Sequence, residues 1–96
     1  MIIEKKIKII NPSGLHARPA SLFVQVANKY DSEINVKKGK QKVNGKSIMG
    51  IMMLAAECGS KIVIVADGPD ARDAIKELAD ILLSGKIEVD NEKNKK

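Results

Sequence analysis

The chain has no tryptophan, one cysteine, one histidine and only two aromatic residues, Phe23 and Tyr30, in 96 positions. The lone Cys58 excludes an internal disulfide. One histidine and one cysteine do not make a ligand cluster, so no metal site is expected, and no cofactor is implied. No apolar run reaches the roughly 18 residues that a membrane-spanning helix needs. The opening "MIIEKKIK" brings charge within four residues and lacks the apolar stretch of a secretory leader. These absences point to a cytosolic protein that neither enters nor crosses a membrane.

Hydrophobic residues make up 44% of the chain, enough for the core of one small domain. With so few aromatics, that core must be built from Ile, Val, Leu, Met and Ala. The formal net charge is +5, unevenly spread. Residues 1–50 carry 10 Lys+Arg and 3 Asp+Glu; residues 51–96 carry 7 and 9. The basic half should attract an acidic partner or a polyanion, or simply be a solvated lysine surface.

"IIEKKIKII" alternates, with Ile3, Ile7 and Ile9 on one side, and reads as a first strand. "NPSG" breaks it. A helix is predicted from about His16 or Ala17, with Ala20, Phe23, Val24, Ala27 and Tyr30 as its inner stripe. Pro19 is tolerated there only within the first turn. "EINVKKGKQKVNG" reads as a hairpin turning at Gly39. "SIMGIMMLAAECG" reads as a brief helix capped by Ser47 and closed at Gly59. "KIVIVADG" is a buried strand. "PDARDAIKELADILLSG" is a helix opened by Pro69 and ended by Gly85, with Ala71, Ala74, Ile75, Leu78 and Leu82 facing inward. The order βαββαβα predicts an α+β fold, an open-faced two-layer sandwich with a four-stranded antiparallel sheet covered on one face by three helices. One domain over residues 1–88 is expected, with 89–96 as a polar, frayed tail.

His16 lies at a helix start, facing the unpaired N–H groups and the positive end of the dipole. A cation is disfavoured there, and an imidazole ring nitrogen is a nucleophile. An anion is welcomed: a phosphoryl group on the ring would meet the backbone amides of Ala17 and Arg18, and the Arg18 guanidinium would clamp its oxygens. On the residues alone, His16 is equally readable as an N-cap or surface residue, and Ser13 as a turn residue. No nearby carboxylate suggests a catalytic triad.

"GLHARPA" together with "KSIMGIMMLA" resembles the HPr family of Gram-positive type, the histidine-containing phosphocarriers of the bacterial phosphoenolpyruvate:sugar phosphotransferase system. The resemblance runs from about residue 2 to residue 85. It implies a carrier, not an enzyme. By that resemblance His16 would take phosphate from phosphorylated enzyme I on Nδ1 and pass it to enzyme IIA components for sugar uptake, and Arg18 would stabilise it. It further implies phosphorylation of Ser47 by HPr kinase/phosphorylase, and a corepressor role with a LacI-type regulator in carbon catabolite repression. Without it, Ser47 reads as a plain N-cap. Charge added at Ser47 is stabilised at a helix start, with help expected from Lys46, and should repel an acidic partner.

Ile48 and Met52 form one row on the short helix, and Met49 and Met53 another. One row must pack inward. By resemblance, Ile48, Met49 and Met52 belong to a docking surface on a monomer. Two departures stand out. Gly45 occupies a place where a larger residue is expected, which predicts a looser approach to Ser47 and puts kinase recognition in question. The chain also runs about ten residues past the family's usual end. Two other readings compete. One is a regulatory module in which Ser47 acts and His16 is idle. The other is a nucleic-acid binder, which the absence of aromatics from the strands argues against.

Overall fold

The computed structural model describes residues 1–84. The expected stop at Gly85 and the tail at 89–96 lie outside them. Seven elements follow in the expected order: β1 (Ile2–Lys8), α1 (Ala17–Ala27), β2 (Glu33–Lys38), β3 (Gln41–Asn44), α2 (Ile48–Met53), β4 (Lys61–Asp67) and α3 (Ala71–Ser84). The strands form one antiparallel sheet in the order β1-β4-β2-β3. The pleat sends Ile7, Ile34, Val36, Ile62, Ile64 and Ala66 to the buried side. The three helices cover that side, and among the described residues nothing covers the other face of the sheet.

Helix α3 buries the inner face read from its periodicity, Ala71, Ala74, Ile75, Leu78 and Leu82, and adds Ala79 and Ile81. On α1 the buried set is Pro19, Ala20, Phe23, Val26 and Ala27. Val24 and Tyr30, expected inside, pack only along the edge of the core. Phe23 is the single aromatic fully inside, and aliphatic side chains fill the rest. Each fully buried Leu or Ile contributes about 1.5–3 kcal/mol to the fold.

The most distinct correction concerns α2. Neither predicted row is core: Ile48, Met49, Met52 and Met53 are all exposed, at 41%, 69%, 44% and 67%. The inward face belongs instead to Ile51 and, just past the helix, Leu54, at 0% and 1% exposure. These two are three apart, and Gly50 flanks them against Asn44 O. The helix also stops well before Gly59. Lys38 Nζ donates to the Leu54 and Ala55 carbonyls, and Gln41 Nε2 donates to Met53 O. These side chains cap the orphaned carbonyls from the hairpin side. Ala55 then turns the chain in the left-handed region, at φ 50°.

Helix α3 starts at Ala71, because Pro69 and Asp70 lie in the preceding turn. The Asp70 carboxylate accepts from the Ser32 hydroxyl and from the Asp31 and Ser32 amides. The Ser32 hydroxyl and then the Asp31 amide hold Asp70 below its ordinary value of 3.8. At the far side of α1, the Tyr30 hydroxyl donates to Glu77, and Lys29 pairs with the same carboxylate at 3.0 Å. The bond to Glu77, with burial second, pushes the Tyr30 phenol up to about 12.

These two groups shape opposite limbs of the stability curve. Asp70 has a lowered value, so its contribution is full above about pH 4 and is lost on acidification. Tyr30 has a raised value, so its contribution is full below pH 10 and is lost between 10 and about 12. Urea titrations across pH should therefore show a flatter acid limb in D70N and a flatter alkaline limb in Y30F, each leaving the other limb unchanged.

Candidate functional site

The segment between β1 and α1 is held by short, local bonds. Asn11 is buried, and its Oδ1 accepts from the Ser13 amide while its carbonyl accepts from Gly14 N at 2.9 Å. That double Asx-type bond makes the turn that "NPSG" signalled. Gly14 has φ +71°, and a Cβ there would sit 2.8 Å from Ala56 O and 3.0 Å from Glu57 Cα. Only glycine permits both the torsion and the contact. The next amide, Leu15 N, donates to Ala56 O at 2.8 Å, and the Leu15 side chain is buried. The loop is thus sewn to the segment after α2 immediately before His16.

His16 is the N-cap of α1, in extended conformation at φ −96° and ψ −166°. Its carbonyl accepts from Ala20 N, while its side chain makes no capping hydrogen bond. The imidazole is exposed, as are Ala17 and Arg18. The geometry of a first turn leaves the Ala17 and Arg18 amides without intrahelical acceptors. Neither finds a carbonyl elsewhere among the described residues. Pro19 brings no N–H, so those two are the donors the turn can offer. No acidic residue sits in the first turn to offset the dipole. The arrangement suits one chemistry: a solvent-facing nitrogen nucleophile beside two free amides and an unpaired guanidinium, all favouring a bound tetrahedral anion. Among the described residues no group of three or more His, Cys, Asp or Glu is placed to hold a metal ion.

Ser47 caps α2, its Oγ accepting from Gly50 N at 3.1 Å. The turn before it is tight. Lys46 N donates to Asn44 Oδ1, Ser47 N to Asn44 O, and Asn28 Nδ2, at the end of α1, to Lys46 O. Gly45 is buried, and a Cβ would meet Ile34 Cγ2 at 2.6 Å. The expected looseness is therefore absent: glycine is needed because β2 passes so close. Lys46 also departs from expectation. Its ammonium donates to Tyr30 O at 2.7 Å, which ties the turn before Ser47 to the α1–β2 loop and engages the charge there. Beside Ser47, α1 and α2 pack together. The four exposed side chains Ile48, Met49, Met52 and Met53 make an apolar patch next to the cap. Sequence patterning missed Met53 as part of that patch, and missed Asn11 and Ala56 as the supports of the loop. Among these three, the Asn-Pro pair at 11–12 was the one available signal.

Comparison with known proteins agrees with this geometry. The family model described as "PTS HPr component phosphorylation site" matches residues 3–84. The phosphocarrier protein HPr of Treponema pallidum is 43% identical over 77 residues, covering 80% of this chain and 88% of the relative. The HPr-like protein Crh of Bacillus subtilis is 42% identical over 78 residues, covering 81% and 92%. The crystal structure of an HPr from Bacillus anthracis superposes with a TM-score of 0.81 at 44% identity, covering 84% of this chain and 96% of that one.

A methyl group at position 14 tests the support of the loop directly. G14A should lower unfolding free energy by about 1–3 kcal/mol in urea titration. It should also shift the amide resonances of Ala56 and Glu57, the residues the new Cβ would strike.

Proposed function

The chain belongs to the HPr family of phosphotransferase-system phosphocarriers, and from that membership we propose that His16 is its phosphoryl acceptor, loaded by phosphorylated enzyme I and unloaded onto enzyme IIA components. A carrier of this kind relays phosphate without catalysing a reaction of its own. The observation that carries the assignment is the exposed His16 at the α1 N-terminus, with two unpartnered amides behind it.

In the loading step the Nδ1 lone pair forms a new P–N bond while the bond from phosphorus to the donor breaks, its electron pair leaving with the donor. The transition state spreads negative charge over three equatorial oxygens. The Ala17 and Arg18 amides and the Arg18 guanidinium stand where that charge develops. The same groups then stabilise the phosphohistidine between encounters. Transfer in the other direction uses the same contacts, which is what a relay requires.

Ile48, Met49 and Met52 form the docking surface in this reading. Flexible, exposed methionines adapt to more than one partner, and a small patch gives the fast, weak complexes that a relay needs. The basic N-terminal half steers acidic partners toward it. Ser47 is the regulatory phosphorylation site, modified by HPr kinase/phosphorylase. About −2 charge beside the patch favours the α2 N-terminus yet repels an acidic partner. In that state the chain would serve as corepressor for a LacI-type regulator. The site of action is the cytoplasm; among the described residues no helix is long and apolar enough to cross a membrane.

The capped Ser47 and its apolar neighbours equally suit a purely regulatory protein, and the similar Crh of Bacillus subtilis is described as a catabolite repression HPr. Incubation with enzyme I and phosphoenolpyruvate separates the two. The carrier reading expects an acid-labile phosphohistidine signal by ³¹P NMR, abolished in H16A. R18A should slow loading by about 10–100-fold, and S47D should slow it with Tm little changed. No phosphohistidine in the wild-type chain would leave the regulatory reading standing.

A further inference from the structure

The open face of the sheet has a polar division that the phosphocarrier chemistry does not use. Alternation places Lys6 and Lys8 of β1, Lys61 of β4, Lys37 of β2 and Lys42 of β3 on this face, away from the helices. The register brings them together at one end. Lys6 pairs with Val63, Val63 with Lys37, and Lys37 with Lys42, while Lys8 pairs with Lys61. Two of these contacts, Lys37–Lys42 and Lys8–Lys61, set like charges directly opposite, an arrangement that destabilises a sheet. The acids of this face, Glu4, Glu33 and Asp67, lie toward its other end.

None of the five lysines makes a hydrogen bond or ion pair among the described residues, whereas Lys29, Lys38 and Lys46 each have a partner. Lys6, Lys8 and Lys61 also line a trough of about 370 Å³ together with Val63 and with Ile7 and Ile62, whose side chains turn to the core. Its volume suits a small ligand rather than a protein surface. No arginine fork faces it to grip a planar carboxylate, and no aromatic offers a base a stacking surface. Lysine ammoniums are point charges that accept tetrahedral oxyanions from any side. Their backbone positions stand about 5 Å apart across paired strands and about 7 Å apart along them, so a ligand with several linked anionic groups can engage more than one of them together.

We propose that the lysine end of the open sheet face binds a linear phosphate chain, supplied either as inorganic oligophosphate or as the triphosphate of a nucleotide. Binding there relieves the like-charge contacts and is independent of His16. The full chain should be titrated at low salt with sodium tripolyphosphate and with ATP, followed by calorimetry and by amide NMR. The expected result is saturable binding of tripolyphosphate, shifts centred on Lys6, Lys8, Lys37, Lys42 and Lys61, and a raised Tm. Each Lys→Gln substitution at Lys6 or Lys61 should weaken binding about fivefold. K76Q on α3 and H16A should bind as the wild type does. Equal affinity for the two ligands assigns inorganic oligophosphate, and tighter ATP binding assigns the nucleotide. The proposal is overturned if tripolyphosphate does no more than sodium chloride of equal ionic strength, or if K6Q/K61Q binds unchanged. It is also overturned if duplex DNA or anionic vesicles bind this face while tripolyphosphate does not.

Discussion

One backbone hydrogen bond organises the functional end of this molecule: Leu15 N to Ala56 O, at 2.8 Å. It forms only because Gly14 lacks a side chain and lets two loops touch. With it in place, Leu15 is buried and His16 is the first residue left outside. The ring's exposure and the helix start are therefore one event. The chain is pinned at position 15, and the next residue must face solvent with the dipole behind it. The loop from Asn11 to His16 is stiffened by its own Asx turn, so the imidazole is presented by a rigid support although it stands at the surface. That suits the proposed role of His16, in which one ring would meet different proteins in the same geometry.

The same economy governs Ser47. Asn28 and Tyr30, at the end of α1, accept from or donate to Lys46, and Gly45 lies against Ile34 of β2. A serine that would otherwise be one more helix cap is thereby held at a fixed distance from the first helix. The apolar patch beside it is a by-product of brevity. A helix of six residues with Ile51 inward has room for four large side chains only on its outer side.

The element order and the sheet were legible because alternation and helical period are local signals. The 14 residues of α3 give almost four turns, so its inner face could be named residue by residue. The six residues of α2 could not support that inference: two rows on so short a helix look alike, and neither proved to be the inner face, which belongs to Ile51 and Leu54. Position 45 misled for a related reason. A missing side chain suggests slack when read along the chain, but Ile34, eleven residues away, fills the space. His16 was singled out by the glycine turn before it and Pro19 after it. Its support was not, because Ala56 lies forty residues on and contributes only a carbonyl. The Asp70–Ser32 latch was hidden likewise; a carboxylate before a helix reads as a cap until the loop that it binds is known.

The strand order carries a consequence for how the protein comes into being. β1 has a single neighbour, β4, whose residues begin more than fifty positions later, and β2 needs β4 on its other flank. While the chain is being synthesised, only the β2–β3 hairpin and nascent helices have partners available. The first strand must wait, apolar side chains uncovered, until residues 61–67 leave the ribosome. Contacts so distant in sequence close loops slowly, and the core then condenses in one late step. Completion of the sheet thus hangs on its fourth strand, which joins β1 to the β2–β3 hairpin.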